Sequence, residues 1–134
     1  MDLDFPSFYN AIISVLFAAV QELHNAGYAH FLFINLPPLD RTPTNVKREG
    51  GPQPTKQMID WYNAALYNQS QTFAQRNERA TILNYDANAF LNSVMDMPGR
   101  FGIRDIEGYC ASFDQPYVDT DAWYYGCLPL EEYL

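Results

Sequence analysis

The chain has 134 residues, 48% hydrophobic and 16% aromatic, enough apolar material for one folded domain and too much for a disordered segment. Its net charge of -8 would repel phosphates, and the one basic cluster, Lys47-Arg48, is balanced by Glu49. That excludes nucleic acid and anionic membrane surfaces as expected partners. The longest apolar run, Ala11 to Val20, is too short to span a bilayer. Asp2 and Asp4 stand where an export signal needs positive charge, so the chain as written is expected to carry none.

In chain order, Ser7 or Asp4 can cap a first helix from about Phe8 to Asn25, which Gly27 stops in a left-handed conformation. Phe8, Ile12, Val15, Ala19 and Leu23 form a stripe expected to lie on a sheet. A second stripe, Ile13, Phe17 and Val20, lies on the other side and is expected to lack a cover within the chain. "HFLFINLPPLDRTP", residues 30 to 43, opens as a strand with no polar face, the pattern of a parallel strand covered on both sides.

Pro37, Pro38, Pro43 and Gly50-Gly51-Pro52 then mark a long loop. A second helix is expected from about Pro54 to Arg79, with Ile59, Tyr62, Leu66 and Phe73 on its apolar face and Asn68 opposite. Trp61 lies off that stripe and is expected to pack beneath the preceding loop. "TILNYD", residues 81 to 86, reads as a second strand, and Ala87 to Asp96 as a third, shorter helix. From about residue 98 the chain is expected to be irregular. The order helix, strand, crossover helix, strand, helix predicts an α/β domain with one parallel pair. Two strands cannot bury both faces and both edges of "FLFINL", which leaves an apolar surface open to self-association or to a partner.

Candidates for chemistry are few. A hydroxyl or thiol nucleophile needs an imidazole, and the only histidines are His24, in the last turn of the first helix, and His30, at the start of a strand. Both fit structural roles. No glycine loop for a phosphate cofactor, no metal-ligand spacing and no nucleophile elbow is present, so no catalytic, cofactor or metal residue is assigned. Asp86 closes the second strand and is expected to cap the following helix. Pro38, Asp40 and Arg41 lie just beyond a strand's carboxyl end, where α/β sites form, with an Asp40–Arg41 ion pair ordering the loop as the simpler role. Asn68-Gln69-Ser70 is an N-glycosylation sequon. Cys110 and Cys127 read more readily as a loop-closing disulfide than as free thiols, and a disulfide needs an oxidising compartment. The tail "YVDTDAWYYGCLPLEEYL" is dense in aromatic rings that can stack on sugars, although packing in the core or loop is the favoured use.

The order of the pieces resembles the second half of a GDSL-type (SGNH) hydrolase, close in flavour to fungal carbohydrate esterases with acetylesterase members. "ELHNAGYAHFLFINLPPLDRTP", "WYNAALYNQSQTFAQRN" and "TILNYDANAFLNSVMDMPGRFGI" carry it, followed by a cysteine-containing loop. The resemblance implies a partial flavodoxin-like, three-layer fold, a single incomplete domain over 1-134 with two parallel strands and three helices. In the full fold of about five parallel strands these would match the last two. It also implies secretion, a late disulfide at Cys110 and Cys127, and ester hydrolysis on acetylated carbohydrate. Members use a Gly-Asp-Ser nucleophile, a Gly and an Asn in separate blocks, and an Asp-x-x-His block. None of the four occurs here, so the expectation is a catalytically inactive fragment. The alternative is a non-enzymatic α/β module that binds a partner through its open strand edge and apolar helix face.

Overall fold

The structure, a computed structural model, describes residues 4–134. Two five-residue strands, β1 (His30–Ile34) and β2 (Thr81–Tyr85), pair in parallel with Phe31 opposite Ile82 and Ile34 opposite Tyr85. The helices are α1 (Phe5–Asn25), the short α2 (Pro43–Val46), α3 (Lys56–Arg76) and α4 (Ala87–Asp96). The expected parallel pair with its crossover helix is therefore present. Four helices replace the expected three because α2, entered at Pro43, forms inside the proline-rich loop.

Local chemistry sets the ends of these elements. The Gly27 N–H bonds the His24 carbonyl at 2.9 Å and the Tyr28 N–H bonds the Leu23 carbonyl at 3.1 Å, while Gly27 holds φ at 104°. That paired closure needs a residue without a Cβ. At its other end α1 begins at Phe5, earlier than its stripe suggested. Asp4 stands at the cap but bonds no backbone N–H through its side chain; it accepts instead from the Ser7 hydroxyl. Helix α3 starts after Thr55, whose Oγ1 accepts from the Met58 N–H at 3.2 Å, and ends at Asn77, whose side chain returns to the Phe73 carbonyl at 3.0 Å.

The core lies between α1, α3 and one face of the sheet. Ile13, Phe17 and Val20 pack with Ala65, Leu66 and Phe73, over Phe31, Phe33 and Ile82. The Phe17 ring sits 4.9 Å from that of Phe33 and 5.8 Å from that of Phe73. Truncating a buried phenylalanine in such a cluster costs about 3–5 kcal/mol. This reverses the expected roles of the two α1 stripes: Ile13 is fully buried, whereas Phe8, Ile12, Val15 and Leu23 face solvent. The rotation of α1 follows from its contact with α3. Gln21, on the Ile13 side, exchanges two hydrogen bonds with Asn77, and Gln69 reaches the Asn10 carbonyl. Both stripes have helical spacing, so periodicity could not choose between them.

The second face of the sheet is largely open. Leu32 and Leu83, opposite each other in register, are both 59% exposed, and Ile34 is exposed beside them. Only at the carboxyl end does Phe90 of α4 approach Tyr85, with ring centres 6.3 Å apart. A strand covered on both sides was expected; within the described residues α1 and α3 cover one. The Trp61 ring, half-buried, stacks on that of Phe5 at the start of α1, with ring centres 6.4 Å apart.

Beyond α4 the chain runs through short 3-10 turns, as its composition suggested. Its end is tied to its start: Asp105 bridges Tyr133 in parallel, and Arg104 pairs with Glu132 at 2.8 Å. Cys110 and Cys127 form a disulfide inside that closure, with Cys110, Val118 and Ala122 buried around it.

Candidate functional site

A parallel pair brings both carboxyl ends to one edge, the position at which α/β sheets place their sites. Here that edge is held by asparagines. Asn35, the first residue past β1, donates through Nδ2 to Asp86 Oδ1 at 2.8 Å and accepts through Oδ1 from the Asn88 N–H at 2.9 Å. Asp86 Oδ1 also accepts from the Ala89 N–H at 2.9 Å, so it caps α4 as its position predicted. Asn63 of α3 brackets the backbone of Leu36, accepting from its N–H at 2.8 Å and donating to its carbonyl at 3.0 Å. Asn88 donates to the same carbonyl at 3.0 Å. The chain leaving β1 is thus clamped between α3 and α4 by side-chain amides that imitate a strand.

The clamp continues into the loop. Asn92, one turn beyond Asn88, donates to that residue's side chain and carbonyl, both at 3.0 Å, and accepts from Arg41 at 2.6 Å. The Arg41 guanidinium also pairs with Asp96 at 2.9 Å. Its carboxylate partner is therefore Asp96 on α4 rather than the neighbouring Asp40 expected from the sequence. An adjacent pair would order only two residues, whereas Arg41–Asp96 fastens the loop to a helix. Within the loop Pro38 is buried and Asp40 is half-buried.

Between α3 and the sheet edge lies a cleft of about 390 Å³, lined by Asn35, Asn63, Tyr67, Tyr85 and Asp86 among others. The Asp86 carboxyl is held below the ordinary carboxylate range, first by the Ala89 N–H and then by the Asn35 amide, against a smaller opposing effect of burial. It is ionised at neutral pH and suited to accept hydrogen bonds, not to relay protons. Neither histidine reaches the cleft. His24 Nδ1 lies 3.0 Å from the Tyr28 carbonyl, with its ring against Phe31 and Phe73. His30 opens β1, four residues before the strand's carboxyl end, a span of roughly 13 Å along an extended chain. The cleft can orient a polar ligand; no hydroxyl–imidazole pair stands in it.

No family model matches the chain. Over 111 residues it is similar, at 29% identity, to an acetylesterase of Thermothelomyces thermophilus. This supports an esterase relationship. The matched stretch covers 81% of this chain and 36% of that relative's length.

The remaining sequence candidates lie apart from the cleft. Asn68 is exposed on α3, but Ser70 of its sequon is fully buried, its hydroxyl donating to the Tyr67 carbonyl at 2.8 Å. Cys110 and Cys127 close the tail loop. Among the described residues no group of three or more His, Cys, Asp or Glu could hold a metal ion, and no helix is long and apolar enough to cross a membrane. The asparagine clamp was missed from the sequence. Its only trace there is Asn88 and Asn92 at helical spacing in the otherwise apolar "ANAFLNSVMD".

Proposed function

We propose that the chain carries the later part of an SGNH-type, flavodoxin-like ester hydrolase fold, and that its own 134 residues supply scaffold and substrate-side cleft without nucleophile or base. The carrying observation is the clamped carboxyl edge of a β1–α3–β2 crossover in a chain similar to an acetylesterase over 111 residues. The substrate class on this reading is an acetylated carbohydrate. Amides and the Asp86 carboxylate around the cleft are suited to hydroxyl groups. Secretion accompanies the proposal and is supported by the Cys110–Cys127 disulfide, a bond that persists in oxidising compartments. Glycosylation at Asn68 would belong to the nascent chain, because folding buries Ser70.

Two measurements test this reading. The purified chain is expected to hydrolyse p-nitrophenyl acetate no faster than buffer. A chimera in which these residues replace the matched segment of the acetylesterase is expected to fold and retain turnover. Activity of the chain alone that a serine-directed inhibitor abolishes, or a folded chimera without activity, would overturn it.

A second reading, a partner-binding module, draws on the open sheet face at Leu32, Ile34 and Leu83 and on the outer α1 residues Phe8, Ile12 and Val15. The face that the sequence suggests for this role, Ile13-Phe17-Val20, is core. Self-association through the open face would appear as a dimer or larger species in size-exclusion chromatography with light scattering. A soluble monomer would remove the reading.

A further inference from the structure

The tail aromatics were expected to serve packing, and the structure places several of them outside. Trp123 is 77% exposed, Tyr117 76% and Tyr124 72%. They are not loose. The backbone beneath them is fixed by the Cys110–Cys127 disulfide, by the buried Val118 and Ala122, and by the Tyr125 hydroxyl donating to the Pro116 carbonyl at 3.0 Å. Tyr117 is the one residue other than glycine with positive φ among those described, at 62°. Its carbonyl is held by the Thr120 N–H at 3.1 Å and the Asp121 N–H at 2.8 Å. A bulky side chain in that conformation is strained and persists only where its surroundings impose it.

Together Pro116, Tyr117, Asp121, Trp123, Tyr124 and Tyr125 line an open cleft of about 350 Å³. Its chemistry narrows the ligand. No Leu, Ile, Val, Met or Arg lines it, whereas protein-binding patches combine aromatic rings with methionine and arginine. After Arg104 the chain has no Lys, Arg or His, while Asp121 lines the cleft and Asp114 and Asp119 stand two residues from its lining positions in sequence, so phosphates and uronic acids are repelled. What remains suited is a ligand with apolar faces for the rings and neutral hydroxyl groups for a carboxylate. Asp121 can accept from such hydroxyls, because its side chain makes no hydrogen bond within the described residues.

We propose that this cleft binds neutral polysaccharide, Trp123 and Tyr124 stacking on sugar faces and Asp121 accepting from hydroxyls. The site is separate from the clamped sheet edge and does not depend on the esterase reading.

Affinity electrophoresis of the full chain in gels containing hydroxyethylcellulose, glucomannan or xyloglucan tests it, with polygalacturonate and polylysine as charged comparisons. Retardation is expected in at least one neutral polymer and none in polygalacturonate. Trp123→Ala should weaken it about tenfold, the scale of one stacked aromatic contact. Trp123→Phe should restore part of it. Phe113→Ala, which removes an exposed ring outside the cleft, should leave it unchanged. In a Trp61→Phe background, the same polymers should shield Trp123 fluorescence from acrylamide. No retardation by any neutral polymer, retardation only by polylysine and lost in salt, or equal losses for Trp123→Ala and Phe113→Ala would each overturn the proposal. Near-UV spectra and an intact disulfide in the variants separate loss of a ring from loss of fold.

Discussion

Replacing Asn63 by alanine tests the clamp directly. The wild-type side chain satisfies both backbone groups of Leu36, at 2.8 Å and 3.0 Å, and Asn88 supplies a second donor to the carbonyl alone. The variant therefore leaves the carbonyl paired and the half-buried N–H without a partner. A lost neutral hydrogen bond costs about 1 kcal/mol and a stranded donor about 1–3 kcal/mol, so a total of about 2–4 kcal/mol is expected. Urea unfolding followed by circular dichroism measures it, provided the slope against denaturant is unchanged. Asn68→Ala, an exposed change on the same helix, should stay within about 0.5 kcal/mol. Asn63→Asp adds a pH signature. Its carboxylate still accepts from the Leu36 N–H but sets an oxygen against the Leu36 carbonyl, and only the protonated acid can donate there. The folded-state pKa of the introduced carboxyl is thus raised, so its stabilising contribution is present in acid and is lost as pH rises through the raised value. A cost below about 0.5 kcal/mol for Asn63→Ala, or an Asn63→Asp variant whose stability relative to wild type is flat with pH, would refute the clamp as an energetic feature.

Asp86→Ala removes the cap of α4 and should cost about 1 kcal/mol at neutral pH. Because the folded-state pKa of Asp86 is lowered, that contribution is present above the ordinary carboxylate pKa and fades as pH falls through the lowered one; wild-type and variant denaturation curves should converge in acid. On the open sheet face, Leu32→Lys combined with Leu83→Glu should change stability by less than about 0.5 kcal/mol per site and shift any oligomer toward monomer in light scattering. A loss of several kcal/mol would instead show that this face is packed.

The elements were largely legible, and the way they meet was less so. Strand β2 ends one residue short of the run "TILNYD", and α4 has the bounds read from its sequence, because Asp86 before it and Pro98 after it are local signals. The parallel pairing followed from the long helix between the strands, which leaves room for a crossover. The facing of α1 was not legible: Ile13-Phe17-Val20 and Phe8-Ile12-Val15 are equally periodic, and the choice was made by Phe33, Phe73 and Asn77, remote in sequence. Arg41 likewise found Asp96 instead of its neighbour. The candidate loop leaves the carboxyl end of β1, and Arg41 fastens it to α4. The asparagines that hold it were invisible because an amide acquires its role only from the backbone group it meets.

The closure of the tail has a topological consequence. Its outer tie, through Arg104, Asp105, Glu132 and Tyr133, is made of hydrogen bonds and an ion pair, whereas its inner tie is the covalent bond between Cys110 and Cys127. A peptide bond cut anywhere between those cysteines would leave both pieces attached, and the nicked chain would migrate as one species until a reductant was added. The exposed rings at positions 117, 123 and 124 all ride on this covalently tethered stretch, so a cut beside them need not release them.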